Sequence, residues 1–312
     1  MKYICNTTEF ECGNSAVTLG KFDGVHMGHQ KLIREIVNKK KKGMEAVVFT
    51  FDIPPGTVTF GNGIQQQVKQ TLLTNTERKQ KLFEMGVSTV IEYPVSKKLK
   101  EMDAEEFVRK VLCEKVHARF ITVGNDFRFG YQRQGDVELL HKMAEEGLFE
   151  VKVIEKEADS GAVVSSTRIR RLLQDGNVED VNRLLGYDYL VENIIIKGNQ
   201  LGRTWGIPTI NMEADERKLL PPNGVYFSTV KIENCKYYGI TNIGNKPTIG
   251  DGYAKGIETY LYSCNKDLYH KIARVSLQHF HRPEKQFDSF NDLVNQLNMD
   301  IESGREYFGL EI

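Results

Sequence analysis

An α/β domain followed by a mostly β domain with a terminal helix is the fold this sequence predicts, and three observations predict it. Up to about residue 186, short apolar runs alternate with longer amphipathic ones. From there to about residue 280, strand-like runs succeed one another with close turn signals. The chain then repeats apolar residues at helical spacing. Strands alternating with helices imply right-handed crossovers and a parallel sheet. Uninterrupted short strands imply a small barrel or sandwich.

Taken in order, "SAVTLG" reads as a strand and "HQKLIREIVNKKKKG" as a helix ending in lysines and Gly43. Cations suit the negative end of a helix dipole and glycine suits the position beyond it, so the lysine run reads as a solvated helix end. "EAVVFTF", "STVIEYP" and "ARFITVG" read as further strands; "TNTERKQKLFEMG", opening near Thr76, and "DAEEFVRKVLCEKV", preceded by Met102-Asp103, read as the helices between them. The later strands are "NGVYFSTVKI", "KYYGITNIGNKPTIGDG", "GIETYLYS" and "IARVSLQHF". The closing helix is "SFNDLVNQLNMDIESGREYF", with Ser289 as its cap.

Composition narrows the function classes. Lys+Arg and Asp+Glu stand at 42 each, which leaves no electrostatic footprint for nucleic acid or an anionic membrane. Cys5, Cys12, Cys113, Cys235 and Cys264 are scattered without a CxxC pair, which argues against a disulfide framework or zinc knuckle and suits a reducing cytosol. The opening "MKYICNTTEFECG" lacks the apolar core of a signal peptide, and no apolar run approaches the roughly 20 residues that span a bilayer. The expectation is a soluble, cytoplasmic protein with no nucleic-acid or membrane partner. Self-association is left open.

"TLGKFDGVHMGHQKLI" (18–33) carries the sharpest signal. A strand ends at Leu19-Gly20, a tight turn runs through Asp23-Gly24, and a helix starts near His26 to His29. Ligands of open α/β sheets sit beyond the carboxyl ends of strands. Gly20, Gly24 and Gly28 would let backbone approach a phosphate, and a helix N-terminus offers free N–H groups. His26 and His29, three apart, share a helix face and could stabilise developing charge. No cysteine or HExxH arrangement completes a metal site, and the Walker A sequence is absent. Spacing alone leaves a phosphate socket and a plain strand-turn-helix joint both open.

"GKFDGVHMGHQKLI" resembles the HxGH signature of the nucleotidyltransferase superfamily, in the form found in bacterial riboflavin kinase/FAD synthetases. "LLTNTERKQKLFEMGV", "VGNDFRFGYQRQGD" and "VVSSTRIRRLLQDGNVEDVNRLLG" follow in that family's order. The resemblance implies a Rossmann-like nucleotidyltransferase domain over 1–185 that transfers AMP from ATP to FMN. It assigns catalysis to His26, His29 and Arg168, and ATP binding to Gly20, Phe22, Asp23, Gly24, Gly28, Ser165, Ser166 and Thr167. Asn125, Asp126, Phe127 and Phe129 would position the flavin; from the residues alone, that stretch is a loop with buried phenylalanines, and "SST" is an ordinary helix start. Thr50-Phe51-Asp52-Ile53-Pro54-Pro55 lacks the histidine of the family's TFDPHP.

"KGNQLGRTWGIPTIN" (197–211) is similar to the riboflavin kinase signature GxxxGRTxGFPTAN, and "LPPNGVY", "GITNIGNKPTIG", "IETYLY" and "FHRPEKQFDSFNDLVNQLNMDI" follow in order. This implies a riboflavin kinase-like β-barrel over 186–312. Gly202, Arg203 and Thr204 would hold ATP, Thr209 and Asn211 would hold Mg²⁺, and Glu258 would be the base for a ribityl hydroxyl. Alternation puts Glu258 on one strand face with Tyr260 and Tyr262; a solvent-facing strand glutamate is the bland alternative. The family's Phe and Ala of FPTAN are Ile207 and Ile210 here, and its ETH is Glu258-Thr259-Tyr260. The expected substrates are ATP, riboflavin and FMN. Readings kept beside the bifunctional one are a monofunctional FAD synthetase with a silent kinase module, a flavin sensor without catalysis, and transfer to another phosphorylated acceptor.

Overall fold

The computed structural model describes residues 1–52, 70–198, 202, 206–247 and 253–311. Packing divides the chain into two compact units, Met1–Ser166 and Thr167–Ile312.

The first unit is built on six parallel strands: β1 (Lys2–Cys5), β2 (Ser15–Leu19), β3 (Glu45–Asp52), β4 (Thr89–Pro94), β5 (Ala118–Gly124) and β6 (Glu150–Ile154). Their spatial order is β1-β4-β3-β2-β5-β6. All five residues of β2 are buried, as expected for a parallel strand covered on both faces. One face packs Val17, Leu19, Val47, Phe49, Ile91, Ile121 and Val123 against Phe107, Val108, Leu140 and Met143. Helix α1 (Met27–Asn38) lies against β2, β3 and β5, with Ile33 and Ile36 fully buried. From β2 the chain proceeds to β3 on one side and later to β5 on the other. The carboxyl ends of β2 and β5 therefore flank a topological switch point, where such sheets place their ligands.

The connecting elements refine the sequence expectations. Helix α2 (Asn75–Glu84) is capped by Thr74 rather than Thr76, because Thr74 and Glu77 form a reciprocal capping box. The short α3 (Lys97–Lys100) precedes α4 (Ala104–Glu106), which Asp103 caps and which continues as a π-helix over Phe107–Cys113. Lys39–Lys42 form a 3₁₀ turn closed by Gly43 at φ 77°, yet Lys39 does more than sit in solvent. Its ammonium lies 3.8 Å over the Phe120 ring and pairs with Glu150 at 2.9 Å. Helix α5 (Val137–Glu145) follows, and the hairpin β7 (Ala158–Asp159) and β8 (Ala162–Val163) leads to α6 (Ser166–Gln174).

In the second unit, α7 (Val178–Leu185) buries Val178, Val181, Leu184 and Leu185. Its Asn182 donates to the Leu277 carbonyl at 2.8 Å and accepts from the Tyr189 amide at 2.6 Å. Packing thus groups α6 and α7 with the β unit, while the motif-based boundary near 186 counts them with the α/β part. Six antiparallel strands follow: β9 (Tyr189–Ile194), β10 (Thr209–Glu213), β11 (Gly224–Ile232), β12 (Cys235–Pro247), β13 (Tyr253–Leu261) and β14 (Ile272–Pro283). Their order is β10-β13-β12-β11-β14-β9. The two ends of this sheet meet where the Ile196 amide donates to the Asn211 carbonyl at 2.8 Å. Inside, the hydroxyls of Ser228, Thr241 and Thr259 link at 2.7 and 2.9 Å, which satisfies three buried polar groups. Ser289 caps α8 (Phe290–Phe308), and Gly309 ends it at φ 61°. Asp300 of α8, 1 % exposed, receives the Arg282 guanidinium at 2.9 and 2.6 Å.

Candidate active sites

The first site is built at the end of β2. His26 is the N-cap of α1: its backbone is extended and its Nδ1 accepts the His29 amide at 3.4 Å. A cap and the third helical residue face each other across the first turn, so the imidazoles stack with centroids 3.7 Å apart. Gly28 leaves room there, because a Cβ would press on the His26 ring at 3.3 Å. Phe22 is fully buried, lies 5.1 Å from the His29 ring, and would stand 3.3 Å from a Cβ at Gly20. Phe22 and Val25 hold φ of +50° and +38°, a left-handed conformation rare for large or branched residues.

Burial pushes the His26 ring down to about 4 and holds His29 well below its ordinary value, with the neighbouring His26 acting in the same direction. Both rings are therefore neutral near pH 7. Since His26 Nδ1 accepts, the proton of the neutral ring is assigned to Nε2. Asp23 faces inward: its Oδ1 accepts the Leu72 amide at 2.8 Å, and its carbonyl accepts the Ser166 hydroxyl at 2.8 Å. That bond ties Ser166 to the glycine turn within the first unit. Ser165 precedes α6, and Thr167 and Arg168 follow in its first turn.

At the end of β5, Asn125 is exposed and its side chain donates to Glu155, while Asp126 pairs with Lys156 at 2.8 Å. Phe129 is buried in the sheet's core against Phe107, and Phe127, half-buried, stacks on it at 5.4 Å. Of the two rings, Phe127 has the open side.

The second site forms across strands. Register pairs Asn211 of β10 with Glu258 of β13, and Glu258 with Asn242 of β12. The Thr209 hydroxyl donates to Glu258 Oε1 at 2.6 Å, and Asn211 Nδ2 lies 3.5 Å from both partners. Glu258 is thus not the solvent-facing residue of the bland reading. Gly198 lies against Asn211, where a Cβ would stand 2.6 Å from the amide. Thr hydroxyl, Asn carbonyl and carboxylate oxygens are hard donors that suit Mg²⁺. Among the described residues there is no group of three or more His, Cys, Asp or Glu that could hold a metal ion. Ile207 and Ile210 are buried, Ile207 among Val225, Phe227, Ile240 and Tyr262, which absorbs both departures from FPTAN. Gly202 is described, and a Cβ there would meet the Ile207 carbonyl at 2.4 Å. Arg203, Thr204 and Trp205 lie outside the described residues, as do Ile53, Pro54 and Pro55.

Two contributors carry no assignment from motif spacing. Asn242 shares the Glu258 row, a placement visible only once strand register is known. Arg78 reaches the glycine turn from α2, where nothing in the sequence separates it from the neighbouring Lys79 and Lys81.

Comparison with known proteins places two family models on the chain. The family model for FAD synthetase matches residues 9–168, and that for riboflavin kinase matches residues 185–308. A bifunctional riboflavin kinase/FMN adenylyltransferase of Listeria monocytogenes is 33% identical over 304 residues, 97% of this chain and 95% of that protein. The Escherichia coli (strain K12) protein of the same name is 31% identical over 309 residues, 98% and 97% of the two chains. A crystal structure described as a macrolide-efflux protein from Streptococcus pneumoniae superposes with a TM-score of 0.83 at 30% identity, covering 97% of this chain and 98% of that one. With both models matched in sequence order and whole-length relatives above 30% identity, this chain belongs to the bifunctional riboflavin kinase/FMN adenylyltransferase family.

Proposed function

We propose that the chain makes FAD in two steps, phosphorylating riboflavin to FMN with ATP and then transferring AMP from a second ATP to FMN. The observation that carries the reading is the Thr209–Glu258–Asn211 cluster. Residues 49 apart in sequence meet at 2.6 Å in the half whose motifs depart most from the family pattern.

In the kinase step, Glu258 takes the proton of the terminal ribityl hydroxyl as that oxygen bonds to the γ-phosphorus and ADP leaves. Thr209 orients the carboxylate by donating to it. Thr209 and Asn211 oxygens would hold Mg²⁺, which when bound neutralises phosphate charge. Gly202, Arg203 and Thr204 are assigned to ATP. In the adenylyl step, an oxygen of the FMN phosphate bonds to the α-phosphorus of ATP and pyrophosphate leaves. No covalent enzyme intermediate is needed, because positioning and charge stabilisation suffice. His26 and His29 donate as neutral rings to the reacting phosphates, and the turn Gly20, Phe22, Asp23, Gly24, Gly28 admits the nucleotide close to backbone. Ser165, Ser166, Thr167 and Arg168 bind outer phosphates. Asn125, Asp126 and Phe127 position the flavin, with Phe129 backing Phe127.

The modules are 1–185 and 186–312, and the setting is the cytoplasm, consistent with five free cysteines. No helix among the described residues is long and apolar enough to cross a membrane.

The test is product chromatography with ATP and Mg²⁺, giving riboflavin to one sample and FMN to another. FAD in both is expected. FAD from FMN alone would overturn the kinase assignments, and no flavin product in either would overturn both.

A further inference from the structure

The glycine turn holds a conformation that its own residues disfavour. Phe22 and Val25 sit at positive φ within four residues, and neither is glycine. Such geometry persists only where surrounding structure over-determines it. Three contacts do so here: Leu72 N–H to Asp23 Oδ1, Ser166 hydroxyl to the Asp23 carbonyl, and Arg78 Nη1 to the Lys21 carbonyl at 3.0 Å. The third differs in kind, because the same guanidinium is held by a largely buried ion pair. Arg78 Nη2 donates to Glu92 Oε1 of β4 at 2.6 Å, with the two side chains 11 % and 6 % exposed. Glu92 Oε2 accepts the Tyr3 hydroxyl from β1. Asn75 Oδ1 receives Nη2 at 3.4 Å.

A buried ion pair is weak evidence for stability, since desolvation offsets much of its attraction. Its geometric effect is plainer. Two branches of one planar guanidinium serve a fixed carboxylate and the peptide that enters Phe22, a division that an ammonium does not reproduce. Phe22 in turn packs on the His29 ring.

We propose that Arg78 is a positioning residue for adenylyl transfer: anchored by Glu92, it fixes the Lys21–Phe22 peptide and through Phe22 sets the His29 ring. This rests on the adenylyltransferase reading of the first site.

The test compares Arg78→Met, Arg78→Lys and Glu92→Gln in the full chain, with riboflavin phosphorylation in the same samples as internal control. In Arg78→Met the kcat for FAD formation from FMN should fall at least tenfold, with the KM for FMN and riboflavin phosphorylation within twofold of wild type. Arg78→Lys should stay impaired although the charge remains, and Glu92→Gln should fall less. An adenylylation kcat within twofold of wild type in Arg78→Met overturns the proposal, as does full recovery in Arg78→Lys. If Arg78→Met does not fold, an unchanged kcat in the near-isosteric Glu92→Gln overturns it. The imidazole resonances of His26 and His29 read the strut without turnover: they should shift in Arg78→Lys and Glu92→Gln, and unchanged resonances would sink it. Wild type that makes no FAD while those resonances shift would overturn the adenylyltransferase reading and leave the strut standing.

Discussion

The two candidate sites are assembled by opposite strategies. The first is local: a turn and the opening of one helix, Gly20 to His29, supply the histidines and the glycines. The second is distributed. Thr209, Asn211, Asn242 and Glu258 come from three strands and meet only through antiparallel register. A local site depends on backbone conformation and on what braces it. A distributed site depends on register, where a one-residue slip would send each side chain to the other face.

Substituting the acting groups should separate the two sites completely. Glu258→Gln keeps the shape of the side chain and the Thr209 bond but cannot take a proton. Riboflavin phosphorylation should fall by roughly 10²–10⁴-fold, the range for losing a general base. FAD formation from supplied FMN should be unchanged, which chromatography with each flavin measures directly. Loss of both activities would mean that the two sites are not independent. Conversely, His26→Ala removes a donor and the helix cap, and adenylylation should drop on the order of 10²–10³-fold while FMN still accumulates from riboflavin. Retained FAD synthesis would remove His26 from the mechanism.

Glycine substitutions sharpen the contrast. At Gly198 a Cβ would stand 2.6 Å from the Asn211 side chain, which is only 6 % exposed and has little room to retreat. Gly198→Ala should therefore displace Asn211 and cost the kinase roughly tenfold or more, since misplacement near 1 Å can cost about a hundredfold. At Gly28 the nearest atoms of His26 are 3.3 Å away, so a smaller shift suffices. Alanine also favours the helix by up to about 1 kcal/mol over glycine. Gly28→Ala should lower adenylylation several-fold with little change in unfolding midpoint. Equal effects at both glycines would argue that ring placement in the first site matters as much as amide placement in the second.

The same contrast explains what the sequence discloses. "GKFDGVHMGH" is legible as a candidate because its residues are contiguous, and the strand alternation before it was enough to place it at a β2 carboxyl end. Thr209, Asn211 and Glu258 were legible only through family resemblance; from spacing alone Glu258 was an ordinary strand residue. Asn242 went unassigned because register is non-local information. The Thr74 cap was missed because either threonine satisfies an N-cap preference, and the reciprocal Glu77 bond decides between them. Arg78 was invisible because its partners, Lys21 and Glu92, lie 57 and 14 residues away.

A last difference concerns protons. The first site contains two imidazoles held neutral by burial, His26 at about 4 and His29 well below 6.5, whereas no histidine stands in the Thr209–Glu258–Asn211 cluster. Below pH 6.5 an unfolded histidine takes up a proton that folded His26 refuses until about pH 4. The unfolded state therefore binds more protons across that window, and stability rises with pH there. The contribution is flat above about 6.5 and is lost as pH falls toward 4, with a slope of at most about 1.4 kcal/mol per pH unit per histidine. His26→Asn removes one titrating ring while keeping a side-chain oxygen that can cap α1. Hydrogen exchange in α1, followed at pH 7.5, 6 and 5, should show wild type losing protection faster than the variant as pH falls, because only wild type has His26 to protonate. Parallel losses in the two proteins would mean that His26 is not buried neutral, and with it would go the assignment of its Nε2 proton as the donor to the reacting phosphate.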